Sequence, residues 1–197
     1  MRDEAEHGGV SVLELRRYTL KPGARETLVE LFDREFVESQ EELGMRILGT
    51  FRDLDDPEQF VWLRGFPSLS SRAPALQAFY TGPVWRRHSA AANATMVDVD
   101  NVLLLRPANG GPALEVDPAS RPPVGAPERD AILWVTITED PVEGDALARF
   151  VTEHAENDFP ALPVREDVDV TVTLWMSEPP SGLETLRLQP TPRSLLP

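Results

Sequence analysis

Apolar and polar residues alternate from Val12 to Leu20, and this period of two predicts a β-strand. Pro22 then opens a helix where its missing N–H costs nothing, and Leu28, Leu31, Phe32 and Phe36 recur at helical spacing until Gly44. Met45–Arg52 and Phe60–Phe66 read as two strands of a hairpin around the turn Asp53-Leu54-Asp55-Asp56-Pro57. A helical region from Ser68 to Met96, interrupted at Thr81-Gly82-Pro83, leads to a last strand, Val99–Leu105. The order βαββαβ is that of a ferredoxin-like α+β module.

Residues 108–130 are rich in proline and glycine without an apolar period, and read as a linker. The pattern then restarts. Ile132–Thr138 repeats the first strand, Leu147, Phe150 and Val151 reproduce the helical spacing of Leu28, Leu31 and Phe32, and Leu174-Trp175-Met176 matches Val61-Trp62-Leu63. Between Trp175 and Leu186 only the turn-prone Ser177–Gly182 is available. The expected organisation is therefore α+β: a first ferredoxin-like module at 10–107, a linker at 108–130, and a second module at 131–197 that lacks its second helix. Without that helix, a face carrying Ile132, Trp134, Leu186 and Leu188 needs cover. A second subunit is the first choice, hence a homodimer or higher homo-oligomer.

Alternation along the first strand puts Leu13 and Leu15 on one face and Glu14, Arg16 and Tyr18 on the other. The apolar face is expected to meet the helices. The polar face is expected to meet Phe60, Trp62 and Arg64 between the two sheets, with Trp175 of the second copy. Aromatic walls with a few polar groups suit a small-molecule pocket. In such a pocket Arg16 or Arg64 binds a carboxylate or enolate, Tyr18 donates a hydrogen bond and Glu14 serves as a base. The alternative is a Glu–Arg network that fixes how the halves pair.

His88 follows Trp85-Arg86-Arg87 in a helical region with Asn93 five residues on, and it is the chosen proton-transfer residue because imidazole titrates near neutrality. The expected catalytic set is His88, Tyr18 and Glu14. The substrate-binding set is Arg16, Arg52, Trp62, Arg64 and Asn93. His154 and Asp158 fall at i, i+4, but two ligands do not make a metal site and none is expected. No phosphate loop, nucleophile elbow, zinc helix or dinucleotide fingerprint occurs, so no cofactor is expected; haem held through His88 is the alternative.

The 197 residues carry a formal charge of −14, which argues against nucleic-acid partners. Cysteine is absent, which removes disulfides and thiolate chemistry. Neither a membrane span nor an apolar leader core stands out, so a cytoplasmic protein with a small-molecule ligand is expected. Lys21 is the only lysine among many arginines, a bias associated with GC-rich bacterial genomes.

The run Leu13-Glu14-Leu15-Arg16-Arg17-Tyr18 with Lys21-Pro22-Gly23 resembles the opening of NIPSNAP family proteins. So do Phe51-Arg52-Asp53, Phe60–Phe66, Gly82-Pro83-Val84-Trp85 and Asp98–Pro107. This resemblance implies an α/β barrel of the dimeric α/β-barrel superfamily, formed here from two halves of one chain. The superfamily's activities include cofactor-independent oxygenation, polyketide cyclisation, dehydration and haem chemistry. It thus implies an enzyme acting on an aromatic or polyketide-like compound, or else a non-catalytic ligand-binding or assembly protein.

Overall fold

A computed structural model of the chain describes residues 9–108, 114 and 116–197. Of the expected linker, residues 109–113 and 115 lie outside the described residues. In the first half, β1 (Val12–Leu20) leads to helix α1 (Arg25–Leu31), a wide π turn (Phe32–Phe36) and the short α2 (Glu38–Glu41). The strands β2 (Arg46–Asp53) and β3 (Gln59–Phe66) form the predicted hairpin. Helices α3 (Leu69–Tyr80) and α4 (Pro83–Thr95) follow, and β4 (Met96–Pro107) ends the half. The break between the two helices falls at the predicted Thr81-Gly82. Ser68 and Ser71 cap α3 reciprocally, and Pro83 sits in the first turn of α4, where its lost N–H has no partner to lose.

The second half adds β5 (Leu133–Thr138), β6 (Ala148–Thr152), β7 (Thr171–Trp175) and β8 (Thr185–Pro190). The eight strands of the described residues form one closed antiparallel barrel in the order β1-β3-β2-β8-β5-β7-β6-β4. The first half contributes the run β4-β1-β3-β2 and the second the run β8-β5-β7-β6, the same order relative to the chain. Two seams join them. Phe51, Arg52 and Asp53 pair with Pro190, Gln189 and Leu188, while Leu105, Arg106 and Pro107 pair with Thr152, Val151 and Phe150.

The barrel is filled with apolar side chains. Leu13, Leu15, Val61 and Leu63 meet Leu133, Val135, Phe150, Val172, Leu174, Leu186 and Leu188 inside it. The expected faces are therefore reversed: Leu13 and Leu15 point between the sheets, and Glu14, Arg16, Tyr18, Trp62 and Arg64 lie on the outer face beneath the helices. A closed interior has no route to water, so the apolar side of each strand goes there, and the charged side is tolerable outside only because its members satisfy one another.

The second half departs further from expectation. Among its described residues it has neither helix, not merely no second one. Leu147, Phe150 and Val151 belong to a loop and to β6, where Ala148, Phe150 and Thr152 are the buried, alternating positions. Residues 153–158 are coil, so His154 and Asp158 share no helical face. The parallel strands β7 and β8 flank β5 and are joined by residues 176–184 alone. At about 3.3 Å per residue such a segment reaches roughly 30 Å, enough to return along a five-residue strand and cross two strand spacings of about 4.8 Å.

The outer face left without helices is polar, not apolar as expected, since Leu186 and Leu188 point inward. Across β5 and β7, Trp134 opposes Trp175, Thr136 opposes Thr173 and Thr138 opposes Thr171. The guanidinium of Arg187 lies 5.7 Å from the Trp134 ring and that of Arg149 lies 5.8 Å from the Trp175 ring. Thr136, Thr171, Thr173 and Trp175 are nonetheless buried, so the helix-free face is covered locally, with arginine side chains lying over both indoles. Trp175 is outside the barrel, not at the pairing face, and is buried beneath Gly144 with its Nε1 donating to Thr136 Oγ1 at 3.0 Å.

Candidate functional site

The pairing of β1 with β3 sets Glu14 opposite Arg64, Arg16 opposite Trp62 and Tyr18 opposite Phe60. Because alternate residues share a face, this register gathers an acid, two arginines and three rings under the helices. Helix α3 adds Arg72. Arg64 donates to Glu14 Oε2 from Nε at 2.9 Å and Nη2 at 2.6 Å, Arg16 Nη1 donates to the same oxygen at 2.9 Å, and Arg72 Nε donates to Oε1 at 2.8 Å. All four side chains are fully buried.

Burial by itself would push the Glu14 carboxyl up, but the guanidiniums of Arg64, Arg16 and Arg72 outweigh it and hold the pKa at about 2. Glu14 is thus an ionised anchor whose two oxygens are both engaged, not the free base expected of it. Arg64 Nη1 completes its set with Gln40 Oε1 at 2.9 Å. Arg16 Nε donates to the Tyr18 hydroxyl oxygen at 3.0 Å. Burial raises the pKa of Tyr18, with Arg16 opposing, so the phenol keeps its proton at neutral pH.

Above this cluster lies a cavity of about 110 Å³. Tyr18 and Trp62 form its sheet side, Phe32 and Phe36 of the π turn one flank, and Phe79, Tyr80 and Trp85 another. Gln40, Asn93 of α4 and Leu162 of the β6–β7 loop also line it. Tyr18 stands edge-on to Trp62 with ring centres 5.8 Å apart, and Phe32 meets Trp62 at 4.9 Å. Trp62 is 2% exposed and its indole Nε1 has no hydrogen-bond partner among the described residues.

The loop between β6 and β7 reaches across from the second half. Phe159 stacks on Tyr80 with ring centres 6.3 Å apart, Asn157 Oδ1 accepts from Arg72 Nη1 at 3.1 Å, and Asp158 forms an ion pair with the same nitrogen. Arg72, Phe159 and Leu162 were not singled out from sequence. Arg72 has no local signal because its partners are distant in the chain, whereas the density of rings at Phe79, Tyr80 and Trp85 could have marked the cavity wall.

Of the eight expected site residues, Tyr18, Trp62 and Asn93 line the cavity. Glu14, Arg16 and Arg64 stand behind its wall. His88 does not reach it: the imidazole lies against Phe36 with ring centres 6.4 Å apart, and its Nε2 faces Glu35 Oε2 at 3.4 Å. Arg52 is elsewhere, gripped by Glu26 and Glu128, each through two contacts. It lines a second hollow of about 280 Å³ between α1 and the linker residues 124–128. Asp33 borders that hollow at 8% exposure, with Oδ1 unpaired among the described residues. Burial drives its pKa to about 6 against the pull of Arg193, Arg52 and Arg121. No group of three metal-ligating residues occurs among the described residues, and none of their helices is long and apolar enough to cross a membrane. The Asp53–Pro57 turn is shaped by its own side chains, Asp53 Oδ1 accepting from the N–H of Asp55 at 2.9 Å.

Fold and site together define an α+β barrel protein with an aromatic cavity between one half of the sheet and its helices. The NIPSNAP family model matches residues 13–109, and this part of the chain is a NIPSNAP domain. It is similar to a NIPSNAP-like domain protein from Burkholderia xenovorans, 25% identical over 54% of this chain and 93% of that one, with a TM-score of 0.48. A NIPSNAP family protein from Agrobacterium tumefaciens is 23% identical over 52% and 92% of the two chains, with a TM-score of 0.46. A putative antibiotic biosynthesis monooxygenase from Chloroflexus aurantiacus is 18% identical over 49% and 92%, with a TM-score of 0.38. Among curated proteins, none matches.

Proposed function

We propose that this chain is a small-molecule enzyme that takes an aromatic or polyketide-like compound into the cavity above Tyr18 and Trp62 and transforms it without a nucleotide cofactor. The observation that carries this reading is the cavity itself, walled by rings and bordered by a protonated Tyr18 hydroxyl backed by a buried guanidinium. Its size, about 110 Å³, is of the order of the ~150 Å³ engineered cavities that hold benzene. Hydrogen-bond donors facing an apolar pocket stabilise negative charge on a carbonyl-derived oxygen, which suits oxygenation, cyclisation or dehydration of an enolisable substrate.

The strand order supports reading the two halves as ferredoxin-like modules in one chain, the second stripped of both helices. In this reading the first half holds the site, and the second closes the barrel and sends the loop with Leu162 over the cavity.

A non-catalytic ligand carrier is the second reading, and one observation favours it: among the described residues no free base stands at the wall, because Glu14 is saturated and His88 does not line the cavity. One experiment decides. Freshly purified protein is examined by native mass spectrometry for a retained ligand, and then incubated with 2-indanone, an enolisable aromatic ketone, while oxygen uptake and products are followed. Turnover that Trp62→Leu abolishes supports the enzyme; saturable binding without product supports the carrier.

A further inference from the structure

The cavity's ligand has a definable charge. Around Glu14 stand three fully buried guanidiniums, those of Arg16, Arg64 and Arg72, and among the described residues the other carboxylate in contact with them is that of the partly exposed Asp158. One positive charge is therefore left over in a site without water contact. Gln40 is neutral, and Tyr18 retains its proton. Aromatic faces soften the excess, with the Arg64 guanidinium 4.9 Å and the Arg16 guanidinium 5.5 Å from the Trp62 ring, but a ring face is a weaker partner than an anion.

Two donors show where the missing charge belongs. Arg16 Nη2 is buried and has no hydrogen-bond partner among the described residues. The Tyr18 oxygen accepts from Arg16 Nε, while its own proton finds no acceptor among the described residues. Tyr18, 5% exposed, lines the cavity, whereas Arg16 lies directly behind it. The arginine thus polarises a phenol O–H that is free to donate into the cavity. Desolvated donors of this kind strongly prefer an ionised acceptor, for which a charge-assisted hydrogen bond is about twice as strong as a neutral one.

We infer that the cavity binds a one-ring aromatic anion, its ionised oxygen hydrogen-bonded by Tyr18 and its charge neutralised by the Arg16–Arg64–Arg72 cluster. The ring lies among Phe32, Phe36, Phe79 and Trp85, and the oxygen, a carboxylate or a phenolate, points at Tyr18. This rests on the cavity being the ligand site and adds the charge class of the ligand. Tyr18 is a binding residue, and Arg16 positions it and supplies its charge.

The test compares three probes of equal size, benzoate, benzyl alcohol and benzylamine, titrated into the full chain at pH 7 and followed by calorimetry and tryptophan fluorescence. Benzoate is expected to bind at least tenfold more tightly than benzyl alcohol, and benzylamine is expected not to bind. Tyr18→Phe, which keeps the ring, should weaken benzoate far more than benzyl alcohol and so narrow the gap between them. Equal affinity for benzoate and benzyl alcohol, or a preference for benzylamine, overturns the charge assignment and leaves the cavity as a ligand site. Failure of all three probes to bind overturns the ligand site and the charge assignment with it. The wild-type comparison decides even if the variant does not fold.

Discussion

Arg64 clasps Glu14 through two nitrogens that converge on one carboxylate oxygen, at 2.9 and 2.6 Å, in a place fully shielded from water. Replacing Glu14 by Gln leaves three buried guanidiniums without their common counter-ion. Removing one partner of a buried ionic set typically costs about 3–5 kcal/mol, so the urea midpoint of Glu14→Gln should fall sharply at pH 7. The pKa of Glu14 is lowered in the folded state, to about 2 from an ordinary 4.5. Its contribution is therefore present above pH 4.5 and lost as pH falls toward 2, and the gap between variant and wild type should close in that window.

Asp33 has the opposite sign. Its folded pKa of about 6 lies above the ordinary 3.8, so the folded state binds the proton more tightly and stability declines as pH rises from about 4 to 6. Asp33→Asn should remove this decline. It should raise stability at pH 7 by roughly 1–3 kcal/mol and change little at pH 3.5, as read from urea midpoints across pH.

Gly144 adopts φ +144°, and a Cβ there would stand 2.8 Å from Cζ3 of Trp175. Gly144→Ala should cost about 1–3 kcal/mol and shift the tryptophan emission as Trp175 loses its cover. An unchanged spectrum and melting temperature would contradict the buried placement of Trp175.

Asp158 and Asn157 hold the β6–β7 loop to Arg72 across the cavity. Asp158→Ala should speed amide hydrogen exchange in residues 153–166 by about tenfold while leaving β1 and β3 protected, a local opening and not global unfolding. Uniform acceleration would show that the ion pair supports the whole domain.

His88 should be silent in binding. It meets Phe36 and Glu35 and does not line the cavity, so His88→Ala is expected to leave benzoate affinity within about twofold of wild type across pH 5–8. A loss of tenfold or more would bring His88 back to the site.

Alternation along β1 was legible: Leu13 and Leu15 do share one face, and Glu14, Arg16 and Tyr18 the other. Which face turns inward was not, because periodicity separates two sides of a strand without saying what covers each. The charged side is acceptable under helices because Glu14 meets Arg64 from 50 residues away and Arg72 from 58 residues away. The second half misled for a related reason. The spacing of Leu147, Phe150 and Val151 fits a helix, but Arg149 between them serves to cover Trp175, and that use appears only once the strands are paired. His88 looked reactive by residue type alone, and its distance from the cavity depends on the rotation of α4. The cavity's rings come from β1, β3, the π turn and both later helices, a convergence that no single window of sequence contains.

The two seams of the barrel, Phe51–Asp53 against Leu188–Pro190 and Leu105–Pro107 against Phe150–Thr152, lie within one polypeptide. Closure is consequently a first-order event. A barrel assembled from two separate chains comes apart on dilution, whereas here each half meets the other at a local concentration fixed by the connecting segment. Closing this barrel should therefore not depend on the amount of protein present. The half that carries no helices can change its surface without having to match an identical partner.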